Sequence, residues 1–201
     1  MARKPAMILF WQHKILTLCQ QLLLLCLALI VWPARSYALT AAPANDDSER
    51  FAALQAAYVF NIAKFFKWPS AELNNNFVFC LFGDSKQTLF QQLQKGTENR
   101  VLHQLPVKVV HLNGTELESS ANACHMLYLA EPPSSAQWQI LLQHYGESVL
   151  KIAAPDVKGE HNALIELALE QNRLVLYLNA AALARSELQA NPSFLSVAKQ
   201  R

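Results

Sequence analysis

The chain has 201 residues, long enough for one well-packed domain and too short for two of ordinary size. Apolar residues make up 52% and charged residues 16%, which excludes an intrinsically disordered chain, and five glycines are too few for collagen-like or Gly-rich phosphate-loop architectures. The formal charge of +2 sits on the leader: residues 1–38 hold Arg3, Lys4, Lys14 and Arg35 and no acid, so the remainder carries thirteen basic residues against fifteen acidic ones, and no basic field is left for nucleic acid.

The basic start precedes an apolar run, Ile15–Trp32, that Gln20 and Gln21 split, leaving Leu22–Trp32 unbroken. Eleven residues fall short of the roughly 20 that a spanning helix needs. Ser36-Tyr37-Ala38 has a small residue at each end, as a signal-peptidase site requires, so residues 1–38 read as a signal peptide cleaved after Ala38. An uncleaved signal-anchor is the alternative. Residues 39–48 read as a flexible N-terminal tail, and residues 49–201 as a single exported domain.

Within that domain Ser48 is placed to cap a helix from Glu49 to about Trp68, with Phe51, Leu54, Tyr58, Ile62 and Phe65 as its buried stripe. Pro69 ends it. The continuous apolar run Phe77–Phe82 predicts a strand buried on both faces, as in a parallel sheet. Gly83-Asp84-Ser85 turns the chain, and Asp84 with Gln87 has the spacing of a capping box for a helix to about Gln94. Strands follow at Pro106–Leu112, His125–Ala130 and Ser148–Ala153. Thr115 and Glu118 start a helical turn, and Ser134 with Gln137 caps a helix whose Trp138, Leu141, Leu142 and Tyr145 share a face until Gly146. Ala163–Leu169 and Arg173–Leu178 predict an antiparallel hairpin, and Asn179 caps a last helix to about Gln189, with further turns after Pro192. The alternation predicts a three-layer α/β/α sandwich with a mixed, mainly parallel sheet and a terminal antiparallel hairpin.

Residues able to do chemistry are scattered. Gly83 stands where a nucleotide loop would, but alone it is no G-x-G-x-x-G, and its plain role is a permissive turn. His103, His111, His125, His144 and His161 lack any metal-ligand spacing and read as surface or strand-edge residues; His125 and Cys124, being adjacent, point to opposite faces. Ser85 lacks a nucleophile elbow, and Asp156, Glu160, Glu166 and Glu170 read as solvated. The sequence thus predicts no catalytic residues, no cofactor and no metal. Phe66 and Trp68 lie off the helix stripe. They either cover the end of the sheet or form an exposed partner-binding patch.

Leu54-Gln-Ala-Ala-Tyr-Val-Phe-Asn-Ile-Ala-Lys-Phe-Phe-Lys-Trp-Pro69 closely resembles the opening signature of the YfiR-like family: a small-residue pair, an aromatic, then N-[FI]-A-K-F-x-x-W-P. Phe79–Asp84, Cys124–Ala130 and Ala163–Ala184 resemble that family's first strand, Cys-His strand and closing hairpin, so the likeness spans about Phe51 to Lys199. The chain departs from the pattern at Glu160-His-Asn-Ala163, where the family usually has Gly-Gly. The resemblance implies a periplasmic regulator of Gram-negative type, not an enzyme. Such a protein binds the periplasmic sensor region of an inner-membrane diguanylate cyclase, holds it inactive and lowers cyclic-di-GMP and biofilm formation. A homodimer is compatible with it. The rival reading is a periplasmic small-molecule-binding module associated with a membrane receptor or transporter, its ligand at the carboxyl ends of the parallel strands near Gly83.

Export also bears on the cysteines. Removal of residues 1–38 leaves Cys80 and Cys124, and in an oxidising compartment an even pair reads as a disulfide. Cys80 lies mid-strand and Cys124 just before its strand, so the bridge requires a stagger between two neighbouring strands.

Overall fold

The apolar run Phe77–Phe82 is buried at all six positions and forms a central strand of the fold. The structure, a computed structural model, describes residues 44–69, 75–114, 117–119, 123–158 and 162–201; the leader 1–38, the first residues of the tail, Thr115, Glu160 and His161 lie outside them. The elements in chain order are α1 (Ala44–Ala63), β1 (Phe66–Lys67), β2 (Phe77–Phe82), α2 (Thr88–Thr97), β3 (Val101–Leu102), β4 (Leu105–Leu112), β5 (Met126–Leu129), α3 (Ser135–His144), β6 (Leu150–Ala153), β7 (Ile165–Glu170), β8 (Arg173–Leu178), α4 (Ala180–Arg185), β9 (Gln189–Ala190), α5 (Pro192–Val197) and β10 (Lys199–Gln200).

Eight strands make one sheet in the order β10-β8-β7-β6-β5-β2-β4-β3, and β1 pairs antiparallel with β9 in a small second sheet. From β7 to β4 neighbouring strands run parallel. β8 is antiparallel to β7, β3 is antiparallel to β4, and β10 is parallel to β8. The mixed, mainly parallel α/β class follows, with the terminal hairpin where the sequence puts it. Crossovers set the layers. The chain steps from β2 through α2 to β4 in one direction, and from β5 through α3 to β6 in the other. Right-handed connections running in opposite directions place α2 and α3 on opposite faces. α1 packs beside α2 on the first face.

The strand predictions fall within one or two residues of β2, β4, β5, β7 and β8. The helices need correction. α1 starts at Ala44, not Glu49: Asp46 and Asp47 stand in its first turn, where the helix dipole favours acids, and Asp46 pairs with Arg50 at 3.0 Å. It ends at Ala63, so Phe66 and Trp68 lie beyond it. Its buried face is also rotated from the stripe of large side chains. Ala52, Ala56, Val59 and Ala63 face inward with Phe60 and Ile62, whereas Leu54 is 44% exposed and Phe51, Tyr58 and Phe65 are half-buried. Alanines let the helix backbone lie close to its neighbours, so the small residues take the contact. At α2 the Asp84–Gln87 capping box does not form. Gln87 adopts a left-handed conformation with no side-chain cap, and Asp84 instead accepts the N–H of Phe90 at 2.7 Å. The box at α3 forms as read, Ser134 and Gln137 each bonding the other's backbone, but Leu142 faces out. Asn179 caps α4, which stops at Arg185 so that β9 can reach β1.

Both tight hairpins turn on consecutive left-handed residues, Gln171 with Asn172 and His103 with Gln104. Two positive-φ central residues are the geometry that matches strand twist in a two-residue turn.

Candidate functional site

Phe66 and Trp68 are buried, at 0% and 7% exposure, and so form no exposed patch. Phe66 meets Phe194 edge-on at 5.1 Å. Trp68 covers the amino end of the sheet, edge-on to Phe77 at 4.8 Å, and its Nε1–H donates to the His125 carbonyl at 3.1 Å. The sequence left these two residues with two roles, and the structure gives them the covering one. The segment after α1 is apolar because it closes the sheet end, with Asn191 N–H donating to Phe65 O at 2.7 Å to hold it there.

Histidines join this packing rather than the surface. His125 is buried and stacks on Phe77 at 5.0 Å, and its Nδ1 accepts the N–H of Val78 at 3.0 Å, which assigns its proton to Nε2. His103 packs against Trp68 and Phe77. His111 donates from Nε2 to the Gly83 carbonyl at 2.5 Å. The sequence suggests surface or strand-edge histidines; His125, His103 and His111 pack inward instead, one ring nitrogen of each bonded to a backbone group.

On the opposite face of β2, Cys80 and Cys124 are joined in a disulfide with 5.7 Å between their Cα atoms. The β2–β5 register pairs Cys80 with Leu127, three residues downstream of Cys124. The anticipated stagger is therefore supplied by a bend. The chain entering β5 crosses over the sheet face, lays Cys124 on Cys80, and then sends His125 to the Phe77 side. Tyr145 steadies the same connection, its buried hydroxyl donating to Leu117 O at 2.7 Å; burial pushes its pKa upward.

The carboxyl ends of β2, β5 and β6 frame a crevice of about 270 Å³ beneath the start of α1. Just past each strand comes a small residue and then an acid, directly in Gly83-Asp84 and Ala130-Glu131 and after Pro155 in Ala154-Pro-Asp156. All of these but Gly83 and Pro155 line the crevice, with Gln55 and Phe51 from α1 and Lys86 from the loop. Gly83 is required here. Its φ is +84°, and a Cβ on it would sit 2.7 Å from Glu131 Cβ and 2.8 Å from Glu131 N. Glu131 Oε1 accepts the N–H of Ser85 at 2.7 Å. Two carboxylates thus take up backbone donors at the approach to α2. Next to the end of β5, outside the crevice lining, lies Tyr128, 1% exposed, whose hydroxyl has no hydrogen-bond partner among the described protein groups. Burial raises its pKa most, then the nearby charges of Asp156 and Asp84. Asp156 read as solvated in the sequence, and Gln55 and Tyr128 were not singled out there. The signal that could have found the site is an acid two or three residues past the end of each of three parallel strands.

Among the described residues no group of three or more His, Cys, Asp or Glu is disposed to hold a metal ion, and no helix is long and apolar enough to cross a membrane.

A sequence model of the YfiR/HmsC-like family matches residues 52–199, well over half of the chain, from the first turns of α1 to β10. The chain belongs to the YfiR/HmsC-like family. The matched span takes in seven strands of the eight-stranded sheet and the first residue of β10, the disulfide and most of the crevice lining, so the resemblance seen in the sixteen-residue helix signature extends over the YfiR/HmsC-like domain as folded here.

Proposed function

We propose that this YfiR/HmsC-like chain is a periplasmic regulator rather than an enzyme: it binds the periplasmic sensor region of an inner-membrane diguanylate cyclase, restrains it and so lowers cyclic-di-GMP. The observation that carries this reading is the family match across residues 52–199. The short apolar core of the leader and Ser36-Tyr37-Ala38 support export, with a mature chain beginning at Leu39. The Cys80–Cys124 bridge fits an oxidising compartment. In this reading Phe66 and Trp68 serve binding indirectly, by fixing the sheet end, and the partner-facing residues lie elsewhere.

The test is deletion of the gene in a strain that carries a cyclase with a periplasmic sensor. Cyclic-di-GMP, measured by mass spectrometry, is expected to rise and to fall again on complementation. An unchanged level overturns the reading. Intact-mass analysis of the periplasmic fraction checks export separately and is expected to show loss of residues 1–38.

A further inference from the structure

We propose that the crevice at the carboxyl ends of β2, β5 and β6 is a binding site for a small organic cation, received by Asp156, Glu131, Asp84 and the Gln55 amide.

Three observations converge on it. The first is place. β2 and β5 are the adjacent strands from which the chain departs in opposite directions, and loops diverging at such a point leave an opening in the layer above the sheet. The second is charge. Three carboxylates line the crevice against the single ammonium of Lys86. The third is Gln55. This side chain is 9% exposed and lines the crevice, and no hydrogen bond joins its amide to any described group. Among the described residues the Tyr128 hydroxyl is the one fully buried polar side-chain atom without a partner, so the Gln55 amide opens onto the crevice, within reach of whatever enters it. A ligand carrying a donor would satisfy its oxygen.

The occupied and open acceptors define the ligand. One oxygen of Asp84 and one of Glu131 already hold backbone N–H groups of Phe90 and Ser85, which fixes both carboxylates. An anion would face the net negative charge of three carboxylates against one ammonium. A metal ion would need a convergent set of ligands that the described residues do not provide. Adjacent strands lie roughly 5 Å apart, so acids carried on three successive strands spread over about 10 Å. That spacing suits N–H donors distributed along an organic cation.

The site belongs to the isolated chain and does not depend on the cyclase reading, so the two succeed or fail separately. The probe is 1,4-diaminobutane, titrated into the exported protein and followed by amide NMR. The Ser85 and Phe90 N–H resonances and the Gln55 side-chain amide are expected to shift along a saturable curve. Asp156→Asn and Gln55→Met are each expected to weaken binding at least tenfold while keeping the far-ultraviolet circular dichroism of the parent. Should one variant fail to fold, the other reads the same site. Non-saturating shifts, equal shifts with magnesium chloride at matched ionic strength, equal shifts with butyrate, or affinity unchanged in a folded variant would each overturn the proposal.

Discussion

The indole of Trp68 reaches across 57 residues of sequence to the backbone of His125, its Nε1–H lying 3.1 Å from the carbonyl oxygen. The same carbonyl accepts the N–H of Leu150 at 3.0 Å, so one atom ties the segment after α1 to the entry of β5 and to β6. Trp68→Phe keeps most of the ring packing and leaves the carbonyl its Leu150 bond. It is expected to cost about 1–2 kcal/mol, the hydrogen bond plus some lost contact. Trp68→Ala, which empties the space against Phe77 and His103, is expected to cost about 3–5 kcal/mol. Urea unfolding of the two variants checks the order.

The disulfide closes a long loop, with a sequence separation of 44 between Cys80 and Cys124. The chain-entropy model puts its stabilisation at about 4 kcal/mol. The Cys80→Ala/Cys124→Ala double variant is expected to lose stability of that order, as is the exported parent protein measured with reductant. Labelling of the unfolded, unreduced mature protein is expected to find no free thiol.

Gly83→Ala is expected to destabilise by about 2 kcal/mol or more, because it combines a left-handed backbone with a Cβ pressed on the Glu131 backbone. Gly146, with open space around the same position, is the control: Gly146→Ala is expected to change stability far less. Thermal melts of the two variants make the comparison.

Glu170 lies on the rim of the terminal hairpin, where Lys199 Nζ donates to it at 2.7 Å and the Tyr177 hydroxyl donates to its other oxygen. These bonds hold its carboxyl below the usual glutamate range, and the same pairing holds Lys199 above the usual lysine range. A lowered carboxylate pKa stabilises above the unfolded value and loses that contribution as pH falls through the folded one; a raised lysine pKa stabilises below its unfolded value and loses it as pH rises through the folded one. The attachment of β10 to β8 is therefore expected to persist through neutral pH and to loosen in acid. In an NMR titration Glu170 should titrate below an ordinary glutamate, and Lys199→Met should move its midpoint upward.

Much of the fold was legible because local pattern and final environment agreed. Phe77–Phe82 is apolar at every position since both faces are covered, and Glu170-Gln-Asn-Arg173 lies at the turn of an antiparallel pair. The helices were less legible. Large apolar residues pointed to Leu54, while the contact is made by Ala52, Ala56 and Ala63, whose burial has no sequence mark until the neighbouring surface is known. Two-residue strands such as β1, β9 and β10 carry too little pattern to read. They exist because distant segments meet.

The sequence by itself determined the class of the domain, the succession of its main strands along the chain and the Cys80–Cys124 pair, since each depends on periodicity, length or count. Only the tertiary structure decided that Trp68 is a covering residue, that Cys124 reaches Cys80 through a bend, and that Asp84, Glu131 and Asp156 share one crevice. Those three acids are separated by 46 and 24 intervening residues in the chain. They meet because parallel strands all point their carboxyl ends the same way, and it is the order of strands in the sheet that makes β2, β5 and β6 neighbours.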